Sequence, residues 1–294
     1  MKIIELSNKK FSTLSHLKIY KGVFNTEAEM FLMDYKRQTK VVKSLYHQSG
    51  EVFANKLYTV EMLDANKEYL PDNFVVPDAL LSVNRQVVGF TIPYIESTNL
   101  STILRDSTIS PREQIYYLKK IGNILEQLEA IRKHREGLKL YIGDLHESNF
   151  LVNPDKRDIS VIDLDSCKIK DNSSFVSRYL TPASLFNEFR LSHKYQLDNG
   201  GLGYAKIDAN TDLYCYIMTI FNYLYGSSIN NMKLDEFYNY LSYLDSLGIN
   251  KDLLHALISI VYNKDNDNPV NYLNSLTDEQ IYRSRHFVYN KVKK

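Results

Sequence analysis

Asp144 and Asn149 stand five positions apart in the stretch Tyr141-Ile142-Gly143-Asp144-Leu145-His146-Glu147-Ser148-Asn149, and the apolar run after Asn149 reads as a short strand. A polar, hairpin-like turn, Asn153-Pro154-Asp155-Lys156-Arg157, follows. A second short strand, Ile159–Ile162, then runs directly into Asp163-Leu164-Asp165. Such a hairpin carries Asp144, Asn149 and Asp163 to the ends of paired strands. Two carboxylates and an amide are hard oxygen donors, which suit a cation such as Mg²⁺.

The segment resembles the catalytic core of the protein-kinase superfamily, whose catalytic loop H-R-D-L-x-x-x-N is followed by a hairpin and D-F-G. Here those positions read Ile142-Gly143-Asp144-Leu145-His146-Glu147-Ser148-Asn149 and Asp163-Leu164-Asp165. The Gly-Asp-Leu-His form is closer to bacterial and small-molecule kinase relatives than to the standard protein kinases. The resemblance implies that Asp144 orients an acceptor hydroxyl and takes its proton. It implies that Asn149 and Asp163 hold magnesium on the phosphates of ATP, and that His146 takes the place of a lysine near the γ-phosphate.

Other positions follow in the order that the resemblance implies. Lys43, in Val41-Val42-Lys43, resembles the strand lysine that grips the α- and β-phosphates. Glu61, eighteen residues on, stands where its ion-pair partner is expected; Glu51 is the weaker alternative, because eight residues leave little room to leave a strand and enter a helix. Pro93-Tyr94-Ile95-Glu96 resembles the hinge whose backbone meets adenine, and Gly22-Val23-Phe24-Asn25-Thr26 the turn that closes over the phosphates. Asp212 resembles the buried aspartate that bonds backbone near the catalytic loop.

The pattern also departs from the family. The glycine-rich loop is absent, Gly22 being the only glycine before Gly50. Gly143 replaces the arginine that receives an activation-loop phosphate, which predicts activity independent of phosphorylation at Ser173, Ser174, Ser177 or Thr181. Asp165 replaces the glycine of D-F-G, either adding to a second metal or capping a turn. No A-P-E sequence lies between Asp165 and Asp212.

The elements that would position these residues change character near Glu96. Before it, apolar runs at Leu17–Val23, Glu27–Met33 and Thr39–Leu45 read as strands, with Asp34–Gln38 as a turn. A helix over Gly50–Ala65 places Val52, Leu57, Val60 and Leu63 on one face, and strands resume at Leu80–Val83 and Gln86–Ile95 around an Asn84-Arg85 turn. After it, Ser110-Pro111-Arg112-Glu113 is a helix start with capping-box spacing, and Ile115, Leu118, Ile121, Leu125 and Leu128 follow at helical intervals to an end near Gly137. Helical signals return from Asp212, broken at Gly226, Gly248 and Pro269.

Composition narrows the partners. The chain has 294 residues, 44% hydrophobic and 24% charged, with a formal net charge of +1, so no global field recruits nucleic acid or an acidic membrane. The most apolar run, Leu213–Tyr225, contains Asn222 and is too short to span a bilayer. Two cysteines, Cys167 and Cys215, outside any C-x-x-C pair, point to a reducing, cytoplasmic setting, and Met1–Lys10 has no signal-peptide core. The remaining histidines form no ligand spacing.

Together these readings predict an α+β, bilobal kinase-like fold: a small antiparallel-sheet lobe with one helix over 1–96 and a mainly helical lobe over 97–294. The expected activity is ATP- and Mg²⁺-dependent phosphoryl transfer to a protein or small-molecule hydroxyl, a Ser/Thr protein kinase first. A small-molecule kinase and a silent nucleotide-binding pseudokinase are the alternatives.

Overall fold

The computed structural model describes residues 1–16, 28–135, 137–153, 155–170, 209–229, 232–259 and 268–288. The expected strand Leu17–Val23 and the turn at Gly22 lie outside the described residues. The fold is α+β. Its first part is a mixed six-stranded sheet in the order β1-β5-β6-β4-β3-β2. The strands are β1 (Lys2–Leu6), β2 (Ser15–His16), β3 (Ala28–Tyr35), β4 (Gln38–Leu45), β5 (Ala79–Val83) and β6 (Gln86–Pro93). All neighbours are antiparallel except β1 and β5. The parallel strand β1 is an addition to the sheet read from sequence. It buries Ile4 and Leu6 and exposes Ile3 and Glu5, and its end is tied by Arg85 N–H to Glu5 Oε1 at 2.7 Å.

Both hairpins use two-residue turns. Lys36 and Arg37 have φ of 51° and 67°, and Asn84 and Arg85 have φ of 48° and 70°. Left-handed pairs of this kind match the right-handed twist of the strands. The five-residue turn expected at Asp34–Gln38 is therefore shorter. Asp34 pairs with Thr39 and Tyr35 with Gln38 inside the ladder.

One face of the sheet carries α2 (Gly50–Ala65), following the short α1 (Asn8–Phe11), with Leu45, Val60, Leu80, Phe90 and Ile92 between helix and sheet. The buried face of α2 differs from the expected one. Val60 and Leu63 are buried as read, but Val52 is exposed, and Lys56 and Thr59 turn inward. The Lys56 ammonium on this inner face finds a carboxylate, Asp165, and the Ser166 hydroxyl.

The second part is mainly helical. Its helices are α3 (Leu100–Arg105), α4 (Pro111–His134), α5 (Ala209–Tyr225), α6 (Leu234–Ser246), α7 (Lys251–Ser259) and α8 (Asp278–Ser284). Helix α4 begins where its sequence predicts, with Pro111 opening the first turn and Ser110 Oγ accepting from Glu113 N–H at 3.3 Å, which is the Ser110 half of the expected capping box. Ile115, Leu118, Ile121, Leu125 and Leu128 are all buried on its inner face. It meets Val270 and Tyr216 at Gly122, where an added Cβ would lie 2.6 Å from Val270 Cβ and 2.8 Å from the Tyr216 hydroxyl. The core of this part includes Tyr216, Ile217, Ile220, Phe221 and Leu224 of α5, and each large apolar side chain buried there contributes about 1.5–3 kcal/mol. Asn222, the polar residue in that run, accepts from Ile229 N–H at 2.9 Å and so stops the chain beyond the helix. Among the described residues, no helix is long and apolar enough to cross a membrane.

Two small sheets are built mainly from the chain between α4 and α5, with β7 added from the segment before α3. Strands β7 (Thr98–Asn99), β9 (Phe150–Asn153) and β10 (Asp158–Val161) form one, in the order β10-β9-β7. Strands β8 (Leu140–Tyr141) and β11 (Lys168–Ile169) form the other.

Candidate functional site

The loop from β8 to β9 carries Asp144, His146 and Asn149. It is held from beneath by Asp212, in the first turn of α5 and 1% exposed. The Asp212 carboxylate accepts from Ile142 N–H at 2.9 Å and Gly143 N–H at 2.7 Å. Hydrogen bonds to a buried charge are among the stronger ones in proteins. Asp212 thus has the structural place read for it. Gly143 has φ of 77°, a left-handed conformation that costs a residue with a Cβ about 1 kcal/mol or more. That gives glycine a reason at the position where an arginine was expected.

Beyond Gly143 the loop braces itself. Asn149 Nδ2 donates to the Asp144 carbonyl at 2.8 Å, so its amide oxygen is the face turned to other ligands. His146 Nδ1 accepts from Ser148 N–H at 3.2 Å, which places the proton of a neutral ring on Nε2. That nitrogen lies 3.9 Å from Asp144 Oδ2. Asn99 Nδ2 donates to the Ser148 carbonyl at 2.7 Å from the adjoining strand β7.

The β9–β10 ladder pairs Phe150 with Val161, and Ile162 N–H donates to the Asn149 carbonyl at 2.9 Å. Asn149 and Asp163 therefore leave the hairpin at the same end. Asp163 is itself left-handed, with φ of 63° and ψ of 40°. Aspartate tolerates that region better than most residues, and the turn aims its carboxylate at the sheet.

There it meets Lys43 of β4, whose Nζ is 2.5 Å from Asp163 Oδ1 and 2.6 Å from Asp165 Oδ1. Lys56 of α2 reaches the other oxygen, Asp165 Oδ2, at 2.7 Å and donates to Ser166 Oγ at 2.9 Å. Two ammonium groups and two carboxylates thus gather from three elements. Lys43 and Asp165 are 3% and 2% exposed, whereas the Asp163 side chain keeps 38% of its surface.

The charges follow from that packing. Burial disfavours the Lys43 ammonium, but Asp163 and Asp165 outweigh it and hold its pKa above the ordinary lysine value. Burial also disfavours the Asp165 carboxylate, yet Lys43 and Lys56 hold it far below the usual carboxylate range. Asp163 moves the other way. Burial pushes it up, Lys43 pulls it down, and the neighbouring Asp165 carboxylate adds to the rise. The thiols of Cys167 and Cys215, neither in a disulfide, are buried beside this cluster and beside Asp212, and burial pushes both up, so neither is an activated nucleophile.

The expected pairing of Lys43 with Glu61 is corrected. Glu61 is exposed and stands five positions after Lys56, which turns it roughly 140° from that buried residue. Glu51 is exposed as well. The partners of Lys43 are the two aspartates, and the helix contributes a lysine. A sequence signal for this existed: Lys56 sits on the buried stripe with Val60 and Leu63, four and seven residues before them. Asp165 bridges the two lysines.

Of the other candidates, Glu96 is exposed between β6 and β7, and Tyr94 N–H donates to the Thr39 carbonyl at 3.3 Å. Gly22 and the hydroxyls of Ser173, Ser174, Ser177 and Thr181 lie outside the described residues. Among the described residues, no group of three or more His, Cys, Asp and Glu gathers as a ready metal cage. The oxygens of Asn149 and Asp163 nevertheless fit Mg²⁺, which is commonly held by one or two carboxylates together with substrate phosphates.

No protein-family model matches this chain, and no curated protein matches it significantly.

Proposed function

We propose that the chain is an ATP-dependent phosphotransferase with a bilobal, protein-kinase-like fold, acting first of all on protein serine or threonine hydroxyls. Residues 1–96 would form the nucleotide-binding lobe and residues 97–294 the lobe that holds the catalytic loop and the acceptor. The observation that carries this reading is the contact of Lys43 with Asp163, 120 positions apart in sequence and 2.5 Å apart in space. In this reading the contact joins an ammonium that would bind phosphate to a carboxylate that would bind metal, next to a hairpin end that also carries Asn149.

In this reading Asp144, whose side chain is 20% exposed, orients the acceptor hydroxyl and takes its proton. The acceptor oxygen bonds to the γ-phosphorus, the bond to the bridging β–γ oxygen breaks, and ADP leaves. His146 Nε2–H faces the space beside Asp144, where the transferred group would pass, and Lys43 neutralises the α- and β-phosphates. Asn149 Oδ1 and Asp163 would hold Mg²⁺, which supplies charge neutralisation on the phosphate oxygens. The two buried thiols, neither in a disulfide, fit a reducing, cytoplasmic setting. A net charge of +1 fits the absence of a nucleic-acid or membrane partner.

The test is transfer of label from γ-labelled ATP with Mg²⁺ by wild type, Asp144→Ala and Asp163→Ala, read on the protein itself and on a generic protein substrate. Labelling lost in both variants supports a protein kinase. ATP binding without labelling of either overturns that assignment and leaves a small-molecule acceptor or a silent nucleotide-binding protein.

A further inference from the structure

Lys43 needs a counter-charge that survives ligand binding. In the structure it has two, and they are not equivalent. Asp163 is partly exposed at the hairpin end, and when Mg²⁺ and nucleotide enter, its carboxylate is required by the cation. Asp165 is 2% exposed and is bonded to Lys56 as well as to Lys43. Each of its oxygens has its own ammonium: Oδ1 accepts from Lys43 at 2.6 Å and Oδ2 from Lys56 at 2.7 Å. Lys56 is itself held by Ser166 Oγ at 2.9 Å.

We infer that Asp165 is the positioning residue for Lys43, and that Lys56 is the residue that fixes Asp165. The link from helix α2 to the strand lysine then runs through the segment after β10, with the cation on the helix and the anion on the loop. This inference rests on the functional reading above. With Asp163 given over to a cation, Lys43 would keep one buried carboxylate and would have its remaining hydrogen-bond donors for the phosphates. Because Lys56 holds the second oxygen, Asp165 cannot rotate away with Lys43. The position of α2 thereby enters nucleotide affinity through a lysine, and Glu61 has no part in it.

Calorimetric titration of Mg·ATP into the full chain tests this, with wild type, Asp165→Asn, Lys56→Met, Lys56→Arg and Glu61→Gln side by side. Asp165→Asn should raise Kd about tenfold and Lys56→Met about threefold, each with stoichiometry near one. Lys56→Arg and Glu61→Gln should bind as wild type. A purely structural role would lower the stoichiometry, as part of the sample unfolds, and leave Kd unmoved, which would overturn the inference. So would wild-type Kd in both Asp165→Asn and Lys56→Met, or weakening by Glu61→Gln equal to that of Asp165→Asn; the functional reading would survive either. A wild type that binds no Mg·ATP would overturn both.

Discussion

Different forces hold the Tyr141–Asn149 loop and the Lys43 cluster. The loop rests on backbone: Asp212 takes two N–H groups, Asn149 takes the Asp144 carbonyl, and Gly143 makes the bend. The cluster rests on side-chain charge, with Lys43, Lys56, Asp163 and Asp165 brought from three elements. Backbone hydrogen bonds leave little freedom, so the loop can present Asp144 in one geometry before any ligand arrives. Ion pairs with a shared partner can exchange, so the cluster can release Asp163 and still keep Lys43 charged. The phosphotransferase proposed above would need both: a base that does not move and a phosphate clamp that yields to its ligand.

The difference can be broken most forcefully at Asp165. Asp165→Ala leaves two buried ammonium groups with one carboxylate, and unfolding measurements should show a loss of roughly 3–5 kcal/mol. Asp212→Ala strands two buried N–H groups and should cost about 3 kcal/mol by the same measurement. If Asp212→Ala proves the milder by a wide margin, the loop is held by something other than that carboxylate. Gly143→Ala forces a Cβ into a left-handed position and should cost about 1 kcal/mol. Glu61→Gln, on the exposed face of α2, should stay within about 0.5 kcal/mol of wild type in thermal unfolding.

Acidity separates the halves further. The depressed Asp165 carboxyl contributes stability that is present above the unfolded aspartate value of about 4 and is lost as pH falls below it. Asp163, pushed up by burial, has the opposite sign: its penalty at neutral pH is relieved on acidification. The stability gap between wild type and Asp165→Asn should therefore narrow as the pH of a denaturant titration falls below about 4. Raised Lys43 adds an alkaline limb, its contribution present below about 10.4 and fading above it. A gap that widens in acid would mean that the ion pairs to Asp165 are not what this variant removes.

Much of the loop half could be read from sequence, because its signals are local. The hairpin, the glycine before Asp144, the N-cap Ser110 and the apolar stripe of α4 all lie within a few residues of what they determine. The Asp212 contact was read by resemblance, and the structure has it. The cluster half was read only in part. Lys43 and Asp163 stand out by type and order, but which carboxylate meets Lys43 depends on how α2 rotates against the sheet. A weak apolar pattern there put Val52 on the inner face, where it is not, and gave no reason to single out Lys56. Strand β1 escaped for a related reason: Lys2 pairs with Ala79, so five residues acquire strand character only from a distant, parallel neighbour.

The central claim is that these halves form a Mg·ATP site in which Asp163 binds the metal and Asp144 serves the chemistry. Thermal unfolding with and without Mg·ATP, on wild type, Asp163→Asn and Asp144→Asn, tests it most directly. A ligand at a hundred times its Kd adds about 2.7 kcal/mol, so wild type should rise by several degrees, Asp144→Asn should rise equally, and Asp163→Asn should lose most of the shift. No rise in wild type, or a full rise in Asp163→Asn, would contradict the account.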